Sequence, residues 1–230
     1  MFRLKKWPFL RQNSMFEDNY KQRGLRNRLV KTLRSKGISD ERVLAAIGKV
    51  PRHVFFDDAL LSHAYEDKAF PIGEGQTISQ PFTVAFQTEK LEVKSGDKIL
   101  EIGTGSGYQA CVLLDMGATV FTIEYNPKLY QKTKELLPLI GYRPFFFLGD
   151  GSKGLSAKAP FDKIIVTAGA PAVPRALTDQ LAEGGLLIIP VGSRGSQQML
   201  RIRKQSGKLI QEQFDTFAFV PLLGQEGWTK

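Results

Sequence analysis

The sequence predicts an α/β fold: a doubly wound, mostly parallel sheet, with an N-terminal helical part before it and an antiparallel C-terminal hairpin after it. Three observations predict this. From about residue 98 onward, short apolar runs alternate with helical periodicities, the pattern of βαβ units. A glycine-rich turn, Gly103-Thr104-Gly105-Ser106-Gly107, stands where the first apolar run gives way to a helix. Near the end, two longer runs flank Ser206-Gly207, a two-residue hairpin signal.

The elements follow in order. Leu25, Leu29 and Leu33, then Val43, Leu44 and Ile47, recur at helical steps; Gly37 ends the first helix, Ser39 or Asp40 caps the second, and Pro51 closes it. Residues 55–80 read as irregular, punctuated by Pro71, Gly73 and Gly75. Pro81 suits the first position of a helix reaching about Leu91. Strands are expected at 98–102, 119–123, 145–148, 163–167 and 186–190, with helices at 107–116, 127–137 and 174–181. The hairpin pairs 198–204 with 209–219. Residues 1–17 read as a basic extension and 18–230 as one domain, of which 18–80 is the helical part and 81–230 the Rossmann-like core and hairpin.

The chain has 230 residues, 42% hydrophobic and 24% charged, a balance that supports one packed core and excludes a disordered chain. A single cysteine, Cys111, excludes an internal disulfide and fits a reducing compartment. No apolar run approaches the ~20 residues needed to span a bilayer, and Trp7-Pro8-Phe9-Leu10 is too short for a secretory apolar core. A cytoplasmic, monomeric protein away from the membrane is therefore expected. The net charge of +9 raises nucleic acid as a partner. No basic block with interleaved aromatics accompanies it, so the charge reads as solvated surface and no nucleic acid is expected.

In a doubly wound sheet, ligands sit beyond the carboxyl ends of the strands, where Gly103, Gly105 and Gly107 fall. Acids accompany three successive strand ends: Glu101, Glu124 and Asp150. Glu124 is placed to accept hydrogen bonds from two ribose hydroxyls. The dinucleotide fingerprint wants glycine where Tyr108 stands, and a pyrophosphate favours a less acidic cradle. The acids suit a nucleoside carrying a cation, which points to S-adenosylmethionine and a class I methyltransferase type of sheet. No His, Cys and Asp cluster has metal-ligand spacing, so no metal is expected. His53 reads as structural, His63 as an exposed helix residue, Cys111 as a small core residue, and Phe145-Phe146-Phe147 as strand core.

Further segments carry a resemblance. Pro71-Ile72-Gly73-Glu74-Gly75-Gln76-Thr77-Ile78-Ser79-Gln80-Pro81, Gly149-Asp150-Gly151, the run from Ala159 to Ala168, Val50-Pro51-Arg52 and Phe219-Val220-Pro221-Leu222 are similar, in order, to the protein-L-isoaspartate O-methyltransferase family, over about 24 to 223. The glycine motif is common to many methyltransferases, whereas the Gln76 to Pro81 segment is far more specific. The resemblance implies methyl transfer from S-adenosylmethionine to the free carboxylate of L-isoaspartyl residues in damaged proteins and peptides, the ester then closing to a succinimide. It implies Ser79 as the active-site serine, with Gln76, Thr77 and Ile78 covering the cofactor. It places Glu101, Gly103, Thr104, Gly105, Ser106, Gly107, Glu124, Tyr125, Asp150 and Gly151 at the cofactor, and Ser79, Gln80 and Val220 at the substrate. The substrate carboxylate, with an ordinary pKa near ~4, is already a nucleophile at neutral pH, so Ser79 reads as an orienter and no general base is required. Relatives tend to carry a small polar residue where Leu223 stands, so a cofactor contact there would be through backbone.

Two other readings stay open at this stage. One is a methyltransferase acting on RNA or a small molecule, though the Asn-Pro-Pro-Tyr motif of base methylation is absent. The other is a binding module that holds the nucleoside without turnover.

Overall fold

The computed structural model of the protein describes residues 18–229; the basic extension expected at 1–17 lies outside them. Two helices open the described chain, α1 (Tyr20–Ser35) and α2 (Glu41–Lys49). Asp40 provides the α2 cap, its carboxylate accepting from the Arg42 N–H, and Val43, Leu44, Ala46 and Ile47 form the buried face that the periodicity predicts.

The stretch expected to be irregular holds more structure. Short 3-10 turns occupy Arg52–Phe55 and Asp58–His63, and β1 (Phe70–Gly73) pairs antiparallel with β2 (Gln76–Ile78). Strands of four and three residues are too short to display a period, so the glycines alone signalled them, as a turn. Helix α3 (Pro81–Lys90) then begins on Pro81.

The remaining elements are β3 (Lys98–Ile102), α4 (Tyr108–Asp115), β4 (Thr119–Glu124), α5 (Pro127–Leu139), β5 (Phe145–Leu148), β6 (Phe161–Val166), α6 (Arg175–Asp179), β7 (Leu181–Ser193), β8 (Ser196–Gln205) and β9 (Lys208–Phe217). They form one seven-stranded sheet in the order β5-β4-β3-β6-β7-β8-β9. Strands β5 to β7 in that order run parallel, while β8 and β9 add antiparallel at one edge as the hairpin pattern predicts. The sheet winds one way from β3 through β4 to β5 and the other way through β6 and β7, so its switch point lies between β3 and β6.

Successive residues of the central strands enter opposite cores. Ile99 and Ile165 join the cluster with α1 to α4, whereas Leu100, Ile102, Ile164 and Val166 join the cluster beneath β7 and α6. That two-sided burial is why these strands read as continuous apolar runs.

Three expectations are corrected. The helix expected at 174–181 shortens to Arg175–Asp179, and β7 begins at Leu181 instead of 186. The Gly184-Gly185 pair, with Gly184 at φ +76°, disguised the first turn of that strand, where its register with β6 shifts. Phe145 is not core: β5 is an edge strand, and Phe145 is 55% exposed while its ring stacks on Phe121 at 4.8 Å.

Candidate active site

The glycine loop leaves β3 directly above the switch point. Gly103 takes φ +96°, and a Cβ there would stand 2.6 Å from the Thr167 Oγ1 at the end of β6. That hydroxyl donates to the Ile102 and Gly103 carbonyls, at 3.0 and 2.7 Å, closing the floor between the two strands. Gly107 caps α4 in the left-handed region, where a Cβ would meet the Thr133 and Leu137 side chains of α5 at 2.7 and 2.9 Å.

Glu124 ties this loop to the next strand. One oxygen accepts from the Gly105 N–H and the other from the Asn126 N–H, each at 2.8 Å. Each carboxylate oxygen therefore keeps a lone pair, in a fixed orientation, for a further donor such as a vicinal diol. The Thr133 hydroxyl holds the Gly105 carbonyl at 2.7 Å.

Over these strand ends lies a cavity of about 350 Å³. Gly103, Thr104, Gly105 and Ser106 line its floor, with Glu124, Tyr125 and Gly151 at one wall. Gln76, Thr77, Ile78, Ser79 and Val220 line it as well. The two acids that line it are Glu74 and Glu124, and no Lys, Arg or His among the described residues does so. A cradle without a cationic side chain suits a nucleoside without phosphates whose reactive group is itself cationic, and the volume is ample for one.

Four of the expected residues lie outside the lining: Gln80, Glu101, Gly107 and Asp150. Glu101 is fully buried beneath the loop, its Oε2 at 2.5 Å from the Thr122 Oγ1, which is 2.6 Å from the Thr104 Oγ1. Burial pushes its carboxyl up to about 8, so it is protonated at neutral pH. The acid two residues before Gly103 therefore adds no negative charge to the cradle. Burial also pushes the Asp150 carboxyl up, but the Ser152 hydroxyl and the backbone N–H groups of Gln225 and Ser152 outweigh it and hold it below its ordinary range. Asp150 thus binds the C-terminal tail to the Gly151 loop, through a 2.8 Å bond from the Gln225 N–H.

The substrate end is anchored by side chains. Asp67 accepts from the Phe82 N–H at 2.8 Å and from the Gln80 amide at 3.2 Å, and pairs with Lys36 at 2.6 Å, fixing the start of α3. Buried Gln197 accepts from the Phe219 N–H at 2.8 Å and donates to the Ser193 carbonyl, setting the segment after β9 that carries Val220. Trp228 donates its indole N–H to the Gly169 carbonyl at 3.0 Å, so the tail, which carried no motif, braces the same wall.

Sequence reasoning missed Tyr108 and Gln109, which line the cavity from the first turn of α4, and Thr167 and Ala168 at the end of β6. The last two were foreseeable, because a switch point exposes the ends of both central strands. Leu223 also lines the cavity. The histidines lie outside it: His53 is buried with Nδ1 2.7 Å from the Tyr65 hydroxyl, and His63 pairs with Glu66 at 2.7 Å. Cys111 is buried, which pushes its thiol well above the ordinary range. Among the described residues, no three His, Cys, Asp or Glu side chains are grouped to hold a metal ion.

The family described as protein-L-isoaspartate(D-aspartate) O-methyltransferase (PCMT) matches residues 24–227. The chain is 58% identical over 213 residues to the protein-L-isoaspartate O-methyltransferase of Cytophaga hutchinsonii, covering 92% of this chain and 96% of that one. It superposes on a solved protein-L-isoaspartate O-methyltransferase with a TM-score of 0.79 at 31% identity, covering 87% of this chain and 66% of that one, so it spans just under two thirds of that structure's length. A Plasmodium falciparum structure described as a beta-aspartate methyltransferase, in complex with S-adenosyl-L-homocysteine, superposes with a TM-score of 0.73 at 26% identity, over 90% of this chain and 99% of that one.

Proposed function

The chain belongs to the protein-L-isoaspartate(D-aspartate) O-methyltransferase family, and from that premise we propose that Ser79 orients the substrate carboxylate at one end of the cavity while the glycine loop and Glu124 hold the methyl donor at the other. The enzyme transfers a methyl group from S-adenosylmethionine to the free carboxylate of L-isoaspartyl residues in damaged proteins and peptides. The ester closes to a succinimide, whose hydrolysis returns some normal aspartyl linkage.

The observation that carries the proposal is one continuous cavity running from Gly103 and Glu124 to Ser79 and Val220, without a cationic side chain on its lining. Bound S-adenosylmethionine supplies an electrophilic methyl group on a sulfonium. The protein's task is then alignment. Glu124 receives the ribose hydroxyls, while the chain from Gly103 to Ser106 shapes the floor without contributing positive charge. Gln76, Thr77 and Ile78 wall the cofactor off from water. Ser79 donates one hydrogen bond to the carboxylate, leaving the other oxygen free to attack. The carboxylate is ionised at neutral pH, so no side chain need remove a proton, and alignment of this kind supplies up to roughly 7–11 kcal/mol. Gln80, at the start of α3, and Val220, on the lining, lie near the substrate backbone.

A monomer in the cytoplasm, acting on isoaspartyl chains and not on nucleic acid, completes the proposal. One buried cysteine and a cavity lined within one chain support it. No described helix is long and apolar enough to cross a membrane. The test is labelled methyl transfer to an isoaspartyl peptide, its normal aspartyl twin and RNA. Base-labile label in the isoaspartyl peptide alone is expected; label in RNA alone would refute the reading.

A further inference from the structure

We propose that Arg52 is a positioning residue for methyl transfer: its buried guanidinium fixes the Ser79 carbonyl and thereby the direction in which the Ser79 hydroxyl points. The proposal rests on the reading of Ser79 as the orienting hydroxyl.

Arg52 is fully buried at the start of the 3-10 turn that follows α2. Its Nη2 donates to the Ser79 carbonyl at 2.8 Å, and its Nε to the Ala64 carbonyl at 3.0 Å. The guanidinium plane is held between rings, its carbon 4.7 Å from the Tyr108 centroid and 5.5 Å from that of Phe56. Tyr108 lines the same cavity as Ser79, so one side chain touches both its glycine-loop end and its substrate end.

Energetics sharpen the point. Burial lowers the guanidinium to about 10, which leaves it charged at neutral pH. Its close hydrogen bonds go to the Ala64 and Ser79 carbonyls, with further attraction from the Tyr108 hydroxyl and the Asp67 carboxylate, an expensive way to bury a charge when an apolar side chain would fill the space. What an apolar side chain cannot do is fix a carbonyl in a defined direction. The next residue is held from the other side, because Asp67 accepts from the Gln80 amide and from the Phe82 N–H. With the backbone pinned on both flanks, Ser79 keeps only its own χ1 freedom, and the hydroxyl is preorganised for a carboxylate.

A double-mutant cycle tests this. Arg52→Met is made in the wild-type and Ser79→Ala backgrounds, and kcat and KM for an isoaspartyl peptide are measured with S-adenosylhomocysteine affinity. Arg52→Met should lower kcat about tenfold when Ser79 is present and less than about twofold when it is alanine, with cofactor-product affinity little changed. Equal losses in both backgrounds would overturn the proposal and make Arg52 a purely structural residue. Full turnover by Ser79→Ala alone would instead remove the premise, and the inference with it. If Arg52→Met does not fold, Arg52→Lys, which keeps the charge but loses the fork, runs the same cycle. It should lose a few-fold in kcat only when Ser79 is present, and equal losses would again overturn the proposal.

Discussion

The two ends of the cavity are built in opposite ways. The floor of the cofactor end comes from one contiguous stretch, β3 to Asn126, shaped by glycines in the left-handed region and by the N–H groups of Gly105 and Asn126 on Glu124. The substrate end is gathered from distant segments, and polar side chains hold it: Asp67 on Gln80 and Phe82, Gln197 on Phe219. A local motif can specify the first kind of site. The second exists only once the chain has packed.

Breaking the backbone end should have the largest effect. Gly103→Val forces a branched side chain into φ +96° and against the Thr167 hydroxyl, 2.6 Å from where its Cβ must sit. The strain and displacement should cost about 3 kcal/mol, roughly a hundredfold in S-adenosylhomocysteine affinity by calorimetry. Unchanged affinity would show that the loop yields.

A substitution at the packed end should separate the two functions. Gln197→Ala strands the Phe219 N–H and leaves space beside Gly169. Steady-state kinetics should show peptide KM rising about tenfold, with cofactor affinity unaltered. A fall in cofactor affinity of similar size would mean that the ends are not independent.

The smallest effect on turnover is expected for Glu101→Gln, because that carboxyl is already neutral and lies outside the cavity. Its signature is in stability. The folded carboxyl titrates near 8, above its ordinary 4.5, so the unfolded chain gives up the proton first. The stabilisation is complete below about 4.5 and is lost as pH rises to about 8. Urea midpoints should therefore decline less between pH 5 and 8 for Glu101→Gln than for the wild type; parallel declines would contradict the assignment.

This contrast also explains what the sequence made legible. The alternation from Lys98 onward, the glycine turn and the Ser206-Gly207 hairpin are local patterns, and the sheet reproduces them. The Gln76 to Pro81 segment was legible as a resemblance, yet its β1/β2 hairpin was not, because strands of four and three residues are too short to display a repeating pattern. Asp67 and Gln197 gave no signal, since the partners Gln80, Phe82 and Phe219 lie 13 to 22 residues away in the chain. Glu101 misled for a different reason. An acid beside glycines reads as charge facing a ligand, and only burial shows that it is neutral and turned beneath the loop.

The most direct test measures two quantities on the Ser79→Ala protein: the S-adenosylhomocysteine dissociation constant, and turnover on an isoaspartyl peptide. Separate ends predict an unchanged constant, within about threefold, beside a turnover lowered about a hundredfold, the scale of one lost orienting hydrogen bond in an active site. Full turnover, or a cofactor affinity that falls together with turnover, would contradict the account.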